Sequence, residues 1–478
     1  MAENSNVPAD RAASRFRPIH KALLFGLGVV IATISGVVIV IIIAVGMRDS
    51  GGIRAEREAI TEKLEAEGYP ITEDAWIAKY PPVPDDENAA PIYVRAYAAL
   101  NALPPEKESL VPYVGKGDPA VPGETYPEEA MVAIRDYLET NQRALELVAE
   151  ASVLSRARFD GYDDPLADPS PEEMVRALAK LVTLHIEAAA TQGDLPAVQS
   201  GLRVLHGCAR ALQERTDWIA GWTSLRLRTT YYQSIEYALN HTTPSEDVLA
   251  DWEATRWTLS AGDVYGDAIA NGARYNTFPD GLYIALLGRS IPLLMHLPDA
   301  VKEKQAERVF ENFWLSDLRF RQSVLGLLDQ PVYEAKPVFN RLQAEFESSF
   351  PEHVFLFRDK IALLWLWEAR AYERLHGVAL ALERVRLRTG SLPETLAGLV
   401  PDYIDTIPTD PYNGQAIRYS HNEGGYLLYC VGYNLADDGG VAYRTERRKQ
   451  MEKGDVVFAV HPNPATLRGQ AIGGPALE

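Results

Sequence analysis

The sequence predicts a mainly α protein with three parts: one N-terminal transmembrane helix, a helical-hairpin ectodomain of bundle or α-solenoid type, and a small C-terminal α+β module. Three observations predict it. Residues 22–47, "ALLFGLGVVIATISGVVIVIIIAVGM", run for 26 positions without a charge, and a bilayer-spanning helix takes roughly 20. From Pro127 to residue 389 apolar residues recur at spacings of three and four, with Pro, Gly and Asp/Asn breaks between runs, which is the period of helices packed on one face. After Gly390 the pattern changes to short alternating runs rich in Tyr, Val and Ile, the composition of strands.

Residues 22–47 are longer than the roughly 7–15-residue apolar core of a cleaved signal, so an uncleaved anchor is expected. Arg11, Arg15, Arg17 and Lys21 precede it, and Arg48, Arg54, Arg57 and Lys63 follow. Short flanks set orientation while long domains cross regardless of charge. The N-terminus is therefore expected in the cytoplasm of a bacterial cell and the rest beyond the inner membrane, as a single-pass protein. Gly28, Ala32 and Gly36 recur every four residues, a spacing that lets two membrane helices approach closely, so a homodimer through this helix is one expectation. The expected divisions are a tail (1–21), the span (22–47), a helix- and proline-rich leading segment (48–126), a helical-pair domain (127–351), the α+β module (352–460) and a flexible tail (461–478).

The net charge of -19 over 478 residues and a pI near 5.0 argue against nucleic-acid binding, because an acidic surface repels phosphate backbones. Two cysteines, Cys208 and Cys430, exclude a disulfide-built scaffold, and no Cys/His pair has zinc spacing.

Residues 54–68 read as a short charged helix. In "YPPVPDDENAAPIYVRAYAALNALPP" a proline-rich loop leads into a helix that Asp85 or Asp86 is expected to cap, and residues 104–126 read as loop. "PEEAMVAIRDYLETNQRALELVAEAS" opens with Pro and two Glu, which suits a helix start. A helical hairpin follows. Val175, Leu178, Val182, Ile186 and Ala189 share one face of its first helix, and Val198, Leu202, Leu205, Ala209 and Leu212 one face of its second. Gly193 ends the first, Asp194 caps the second, and Pro196 lies in the new first turn. Further helices are expected at 217–240, 245–272, 299–328, 334–348 and 352–389.

In the last part, "AIRYS", "YLLYCVG" and "DVVFAV" read as strands, with hairpin chemistry in "HNEGG". Asn413-Gly414 is a turn, and Pro408 and Pro411 hold extended backbone on either side of Asp410. The stretch "VALALERVRLRTGSLPETLAGLVPDYIDTIPTDPYNGQAIRY", 378–419, resembles the globular part of the major pseudopilin of bacterial type II secretion, and the likeness extends over about 365–460. The matching positions are Gly390, Pro393, Leu396 to Val400, Ile407 to Pro411, Asn413-Gly414 and Tyr419, followed by Cys430 to Asn434, Asp437 to Gly440 and Asp455-Val456. The resemblance implies a pseudopilin-like α+β fold. It also implies a calcium site in the closing loop, with Asp437, Asp438 and Asp455 as ligands and Asn434 as a neutral one. Asn434-Leu435 replaces the family's Asp-Gly, and the basic stretch "VAYRTERRKQMEK" looks inserted. The leader and first-turn Glu of true pilins are not found ahead of residues 22–47, so the chain is expected to carry such a module without being a pseudopilin. The whole layout resembles bacterial membrane-anchored envelope proteins.

No His-Glu-x-x-His, Gly-x-Ser-x-Gly, Ser-x-x-Lys or phosphate-loop motif occurs, so no catalytic residue is assigned. Aromatics concentrate between 218 and 283, among them Trp218, Trp222, Tyr231, Tyr232, Tyr237, Trp252, Trp257, Tyr265, Tyr275 and Tyr283. Such rings pack as core, or line a groove for a peptide or glycan. The expected function is an extracytoplasmic scaffold that binds an envelope protein, in a secretion or pilus-like setting suggested by the resemblance. The alternative is an extracytoplasmic hydrolase or glycan-binding protein using those rings with Asp263, Asp267 or Asp280.

Overall fold

A computed structural model describes residues 51–120, 123–159, 169–213, 218–257, 299–349, 356–422, 424–441 and 454–461. The described chain is mainly helical with one small sheet, as the sequence predicts. Among these residues no helix is long and apolar enough to cross a membrane. The span expected at 22–47, with Gly28, Ala32 and Gly36, lies outside them. The helices are α1 (Gly51–Ala66), α2 (Glu73–Lys79), α3 (Ala90–Ala98), α4 (Glu128–Thr140), α5 (Gln142–Val153), α6 (Pro171–Thr191), α7 (Leu195–Ala211), α8 (Trp218–His241), α9 (Glu246–Ala254), α10 (Asp299–Leu325), α11 (Val332–Ser349) and α12 (Leu356–Thr389). Strands β1 (Arg418–His421), β2 (Tyr426–Cys430) and β3 (Val456–Val460) follow.

The contacts divide the chain into two compact units. One joins Met1–Ile60 with Asn276–Leu318. In it the Arg57 guanidinium lies 4.2 Å over the Trp314 ring, and Arg54 and Arg57 both pair with Glu311. The other joins Thr61–Tyr275 with Arg319–Glu478 and holds the sheet.

Local chemistry accounts for the α6–α7 hairpin. Ser170 accepts from Glu173 N–H while the Glu173 carboxylate accepts from Ser170 N–H, a reciprocal cap that starts α6. Gly193 adopts φ +73°, and Asp194 then accepts from Ala197 N–H to start α7. The ten apolar positions expected on the facing sides are all buried. The two axes approach closely because position 201 is glycine: a Cβ there would meet Ile186 Cγ1 at 2.5 Å. Two expectations are corrected. The helix expected over 245–272 ends at Ala254, with turn and irregular backbone at 255–257. Asp85 and Asp86 are exposed and do not cap α3; Asn88 takes the first-turn N–H of Ala90. The sequence places Asn88 nearer the helix start, and only there does a short side chain reach the orphan N–H groups. Asn88 also bonds Arg158 through both N–H and C=O.

Helix α8 is the axle of this unit. It packs on α6 and α7 on one side and on α12 and β3 on the other. The sheet has the order β1-β2-β3, antiparallel throughout. In its register Tyr426 pairs with Val460 and Cys430 with Val456. Backbone groups alternate in direction along an antiparallel strand, so Ala459 turns its N–H and C=O away from β2, and the His461 N–H just beyond the strand lies on the same side. Two side chains of α8, one helical turn apart, meet them. Glu236 Oε1 accepts Ala459 N–H at 2.7 Å, Asn240 Nδ2 donates to Ala459 C=O at 2.8 Å, and Asn240 Oδ1 accepts His461 N–H at 2.7 Å. Both side chains are buried. The helix thus completes β3 as a neighbouring strand would.

Replacing Asn240 by Ala leaves two backbone groups without partners. Each orphan costs about 1–3 kcal/mol, so urea unfolding should show a loss of about 2–6 kcal/mol. A loss under about 0.5 kcal/mol, the size of an ordinary surface change, would mean that the edge is satisfied by something else.

Candidate functional site

The passage "PTDPYNGQAIRY" becomes a joint. Asp410 is fully buried, and its carboxylate accepts Tyr412 N–H at 2.8 Å and Val431 N–H at 2.7 Å, with Arg418 Nη1 at 3.3 Å. Burial pushes its pKa up, opposed by the Tyr412 and Val431 N–H groups and by Arg418. Gly414, at φ +72°, turns the chain back so that its N–H reaches Asp410 C=O. The carbonyls of Pro411 and Tyr412 accept Val332 and Tyr333 N–H, each at 3.0 Å. These are first-turn donors of α11 that its own ladder cannot use. Arg374 of α12 donates to Thr409 C=O at 2.6 Å. The turn therefore holds α11, α12 and the sheet together.

This joint sets the position of β1. Asn422 N–H bonds Gly425 C=O and closes the β1–β2 hairpin. By the same alternation, Arg418 and Ser420 pair with β2 while Tyr419 and His421 turn their N–H and C=O groups outward. No described residue takes those outward groups. Along this edge runs an open groove of about 320 Å³. Ile417, Ala416 and Tyr419 form one wall, and Leu396, Ala397 and Ile407 another, with Glu394 and Thr395 at the rim. The 3-10 turn Leu396–Leu399 packs on α12, and Tyr419 O–H donates to Pro393 C=O, so both walls are braced. Glu394 is almost fully exposed and lies 3.7 Å from His421 Nε2. The sequence names Leu396, Ile407 and Tyr419 only as parts of a resemblance. Nothing local in it marks Glu394 or Ala416 as neighbours in a groove.

The four residues implied as calcium ligands are only partly brought together. Asn434 Nδ2 donates to Asp438 Oδ2, which also accepts Gly454 N–H. Asp455 accepts Asp438 N–H at 3.3 Å and Gly440 N–H at 2.7 Å. Burial raises its pKa to about 6 against those two bonds. Asp437 turns elsewhere, to Arg418 Nε at 2.6 Å and Tyr429 O–H. The N–H of Gly439 foremost, and Arg418 after it, hold its carboxyl below the usual range. Among the described residues no group of three or more His, Cys, Asp or Glu is arranged to hold a metal. Calcium takes 6–8 oxygens, whereas these carboxylates close the loop on its own N–H donors.

Of the described aromatics of this stretch, Tyr231, Tyr232, Tyr237, Trp252 and Trp257 are buried, while Trp222 is half-buried with its ring 4.3 Å from that of Trp365. The His206 ring stacks on Trp257 at 4.2 Å, and Tyr231 and Tyr232 meet Trp257 edge-on. The buried His376 ring lies 5.0 Å from Tyr232. The side chain of Trp218 and residues Tyr265, Tyr275, Tyr283, Asp263, Asp267 and Asp280 lie outside the described set. Burial, aided by Arg210 and Arg228, lowers the His206 pKa to about 4, and burial with Arg256 lowers that of His376 to about 3.

A histidine pKa below its unfolded value contributes stability above about pH 6.5, lost as pH falls toward the folded value. The loss of stability from pH 7 to 4.5 should therefore be about 2 kcal/mol smaller in His206→Phe than in the parent, measured by denaturant unfolding at both values. An equal loss would mean that His206 takes its proton readily in the fold. In a second measurement, the melting temperature should be the same in millimolar Ca²⁺ and in chelator, because an ion binding only the native state must raise it. A rise that Asp455→Asn abolishes would restore the four-ligand reading. Compared with known proteins, the chain matches no family model, no curated protein and no solved structure.

Proposed function

We propose that this chain is a non-enzymatic scaffold that binds another protein, anchored in a bacterial inner membrane through residues 22–47 with its N-terminus in the cytoplasm. The C-terminal module is its contact surface. One observation carries the reading. The small sheet has one edge sealed from within by Glu236 and Asn240, and the other with backbone groups that no described residue pairs, beside a braced groove. Folded proteins usually cover, shorten or charge an edge, and here the two edges are treated differently. The charge of -19 fits a partner with basic groups. Anchoring rests on the uncharged run of residues 22–47, and the setting in type II secretion or pilus-like assembly rests on the pseudopilin resemblance alone. The burial of Tyr231, Tyr232, Tyr237, Trp252 and Trp257 lends nothing to the glycan or hydrolase alternative.

A photo-crosslinking residue at Ala416, in the groove wall, should give one discrete adduct in native membranes. The same residue at the exposed Glu139 on α4 should not. Equal adducts from both positions, or none from Ala416, would remove the module as the contact surface.

A further inference from the structure

We propose that the outer edge of β1 takes an extended segment of a partner protein as a fourth strand, and that this segment carries Lys or Arg two positions from an apolar residue, on the same strand face. The inference rests on the protein-binding reading above and names the partner's chemistry. The sheet grows on one side only, since β3 is closed by α8. On the other side Tyr419 and His421 present N–H and C=O groups outward with no described partner, and main-chain pairing to such an edge is a recurrent mode of peptide capture. A strand laid there points every second side chain to the same face. On that face the groove offers Leu396, Ile407 and Ile417 to an apolar side chain.

The rim decides the charge. The Glu394 carboxylate is 95% exposed, its contact being His421 at 3.7 Å, and Asp402 and Asp405 are exposed in the loop that follows. A cationic side chain two positions from the apolar one shares its face and meets this rim. A second copy of the chain does not, since its own β1 edge would bring a second Glu394 and a second net charge of -19. With four residues in β1 the contact is weak alone and specific by geometry, because backbone pairing sets register while the groove and Glu394 select side chains.

The probe is fluorescein-labelled Lys-Thr-Val-Thr-Lys-Thr-amide, titrated onto the full chain in detergent, with its backbone N-methylated counterpart as control. The unmodified peptide should bind and slow amide exchange in residues 416–422, and N-methylation should weaken binding at least tenfold. His421→Pro removes an N–H that faces away from β2, so it should leave the melting temperature in place and weaken the peptide at least tenfold. Glu394→Lys should also weaken it, and a Glu-for-Lys peptide should recover on that variant. Equal binding by the N-methylated peptide reduces the effect to charge and overturns the proposal, as does no binding at millimolar peptide. A concentration-dependent dimer that His421→Pro dissolves gives the edge to a second copy and overturns it too. An Ala416 adduct that persists in His421→Pro keeps the protein-binding reading while removing strand addition.

Discussion

A three-stranded sheet laid against helices has two edges, and each carries backbone groups that the sheet itself cannot pair. Burying such an edge without partners is costly. Here the rest of the arrangement depends on how β3 is satisfied. Glu236 and Asn240, one turn apart on α8, offer an acceptor, a donor and a second acceptor in the order that a neighbouring strand would. That match lets a strand lie directly on a helix already packed against α6 and α7. The last described strand is thereby joined to residues more than 200 positions earlier, and the C-terminal strands share one compact unit with the helical pairs.

Asp410 plays the matching part at the other end of the sheet. A buried carboxylate is expensive unless its oxygens are occupied. This one is surrounded by two backbone N–H groups and an arginine drawn from the turn and the adjoining strands. Because the same turn also takes the first donors of α11 and is held by Arg374, the orientation of β1 is set by three elements at once. Lys336 of α11 adds a fourth hold, donating to Tyr433 C=O at 2.8 Å while its ammonium lies 4.0 Å over the same ring. A rigidly held edge loses little freedom when something pairs with it, which favours recognition.

The interior between α7, α8, α9 and α12 is rich in aromatic rings as well as aliphatic side chains. Rings of His206, Tyr231, Tyr232, Trp252, Trp257 and His376 occupy it. Large rings fill wide gaps between helices and add edge-to-face attraction to burial. The histidines are held neutral there by desolvation and by nearby guanidinium groups, so they serve as polarisable filler near pH 7 and become liabilities in acid.

By itself the sequence determined what is local. The α6–α7 hairpin was legible because a helix places positions i, i+3 and i+4 on one face, and because Gly193, Asp194 and Pro196 end and restart it through their own backbone chemistry. The three strands and the "HNEGG" hairpin were legible for the same reason, as alternation and turn residues act over a few positions. The cap of α3 was misassigned by two or three positions, since several Asp and Asn compete and helix geometry chooses. Only the tertiary structure decided that Tyr231, Tyr232 and Trp257 are interior, that Asp437 faces Arg418 rather than Asp455, and that one sheet edge is closed by α8 while no described residue pairs with the other. Those outcomes depend on pairings such as Asn240 with Ala459 and His461. Chain entropy and packing select them over long separations, and no short window of residues encodes which distant group will arrive.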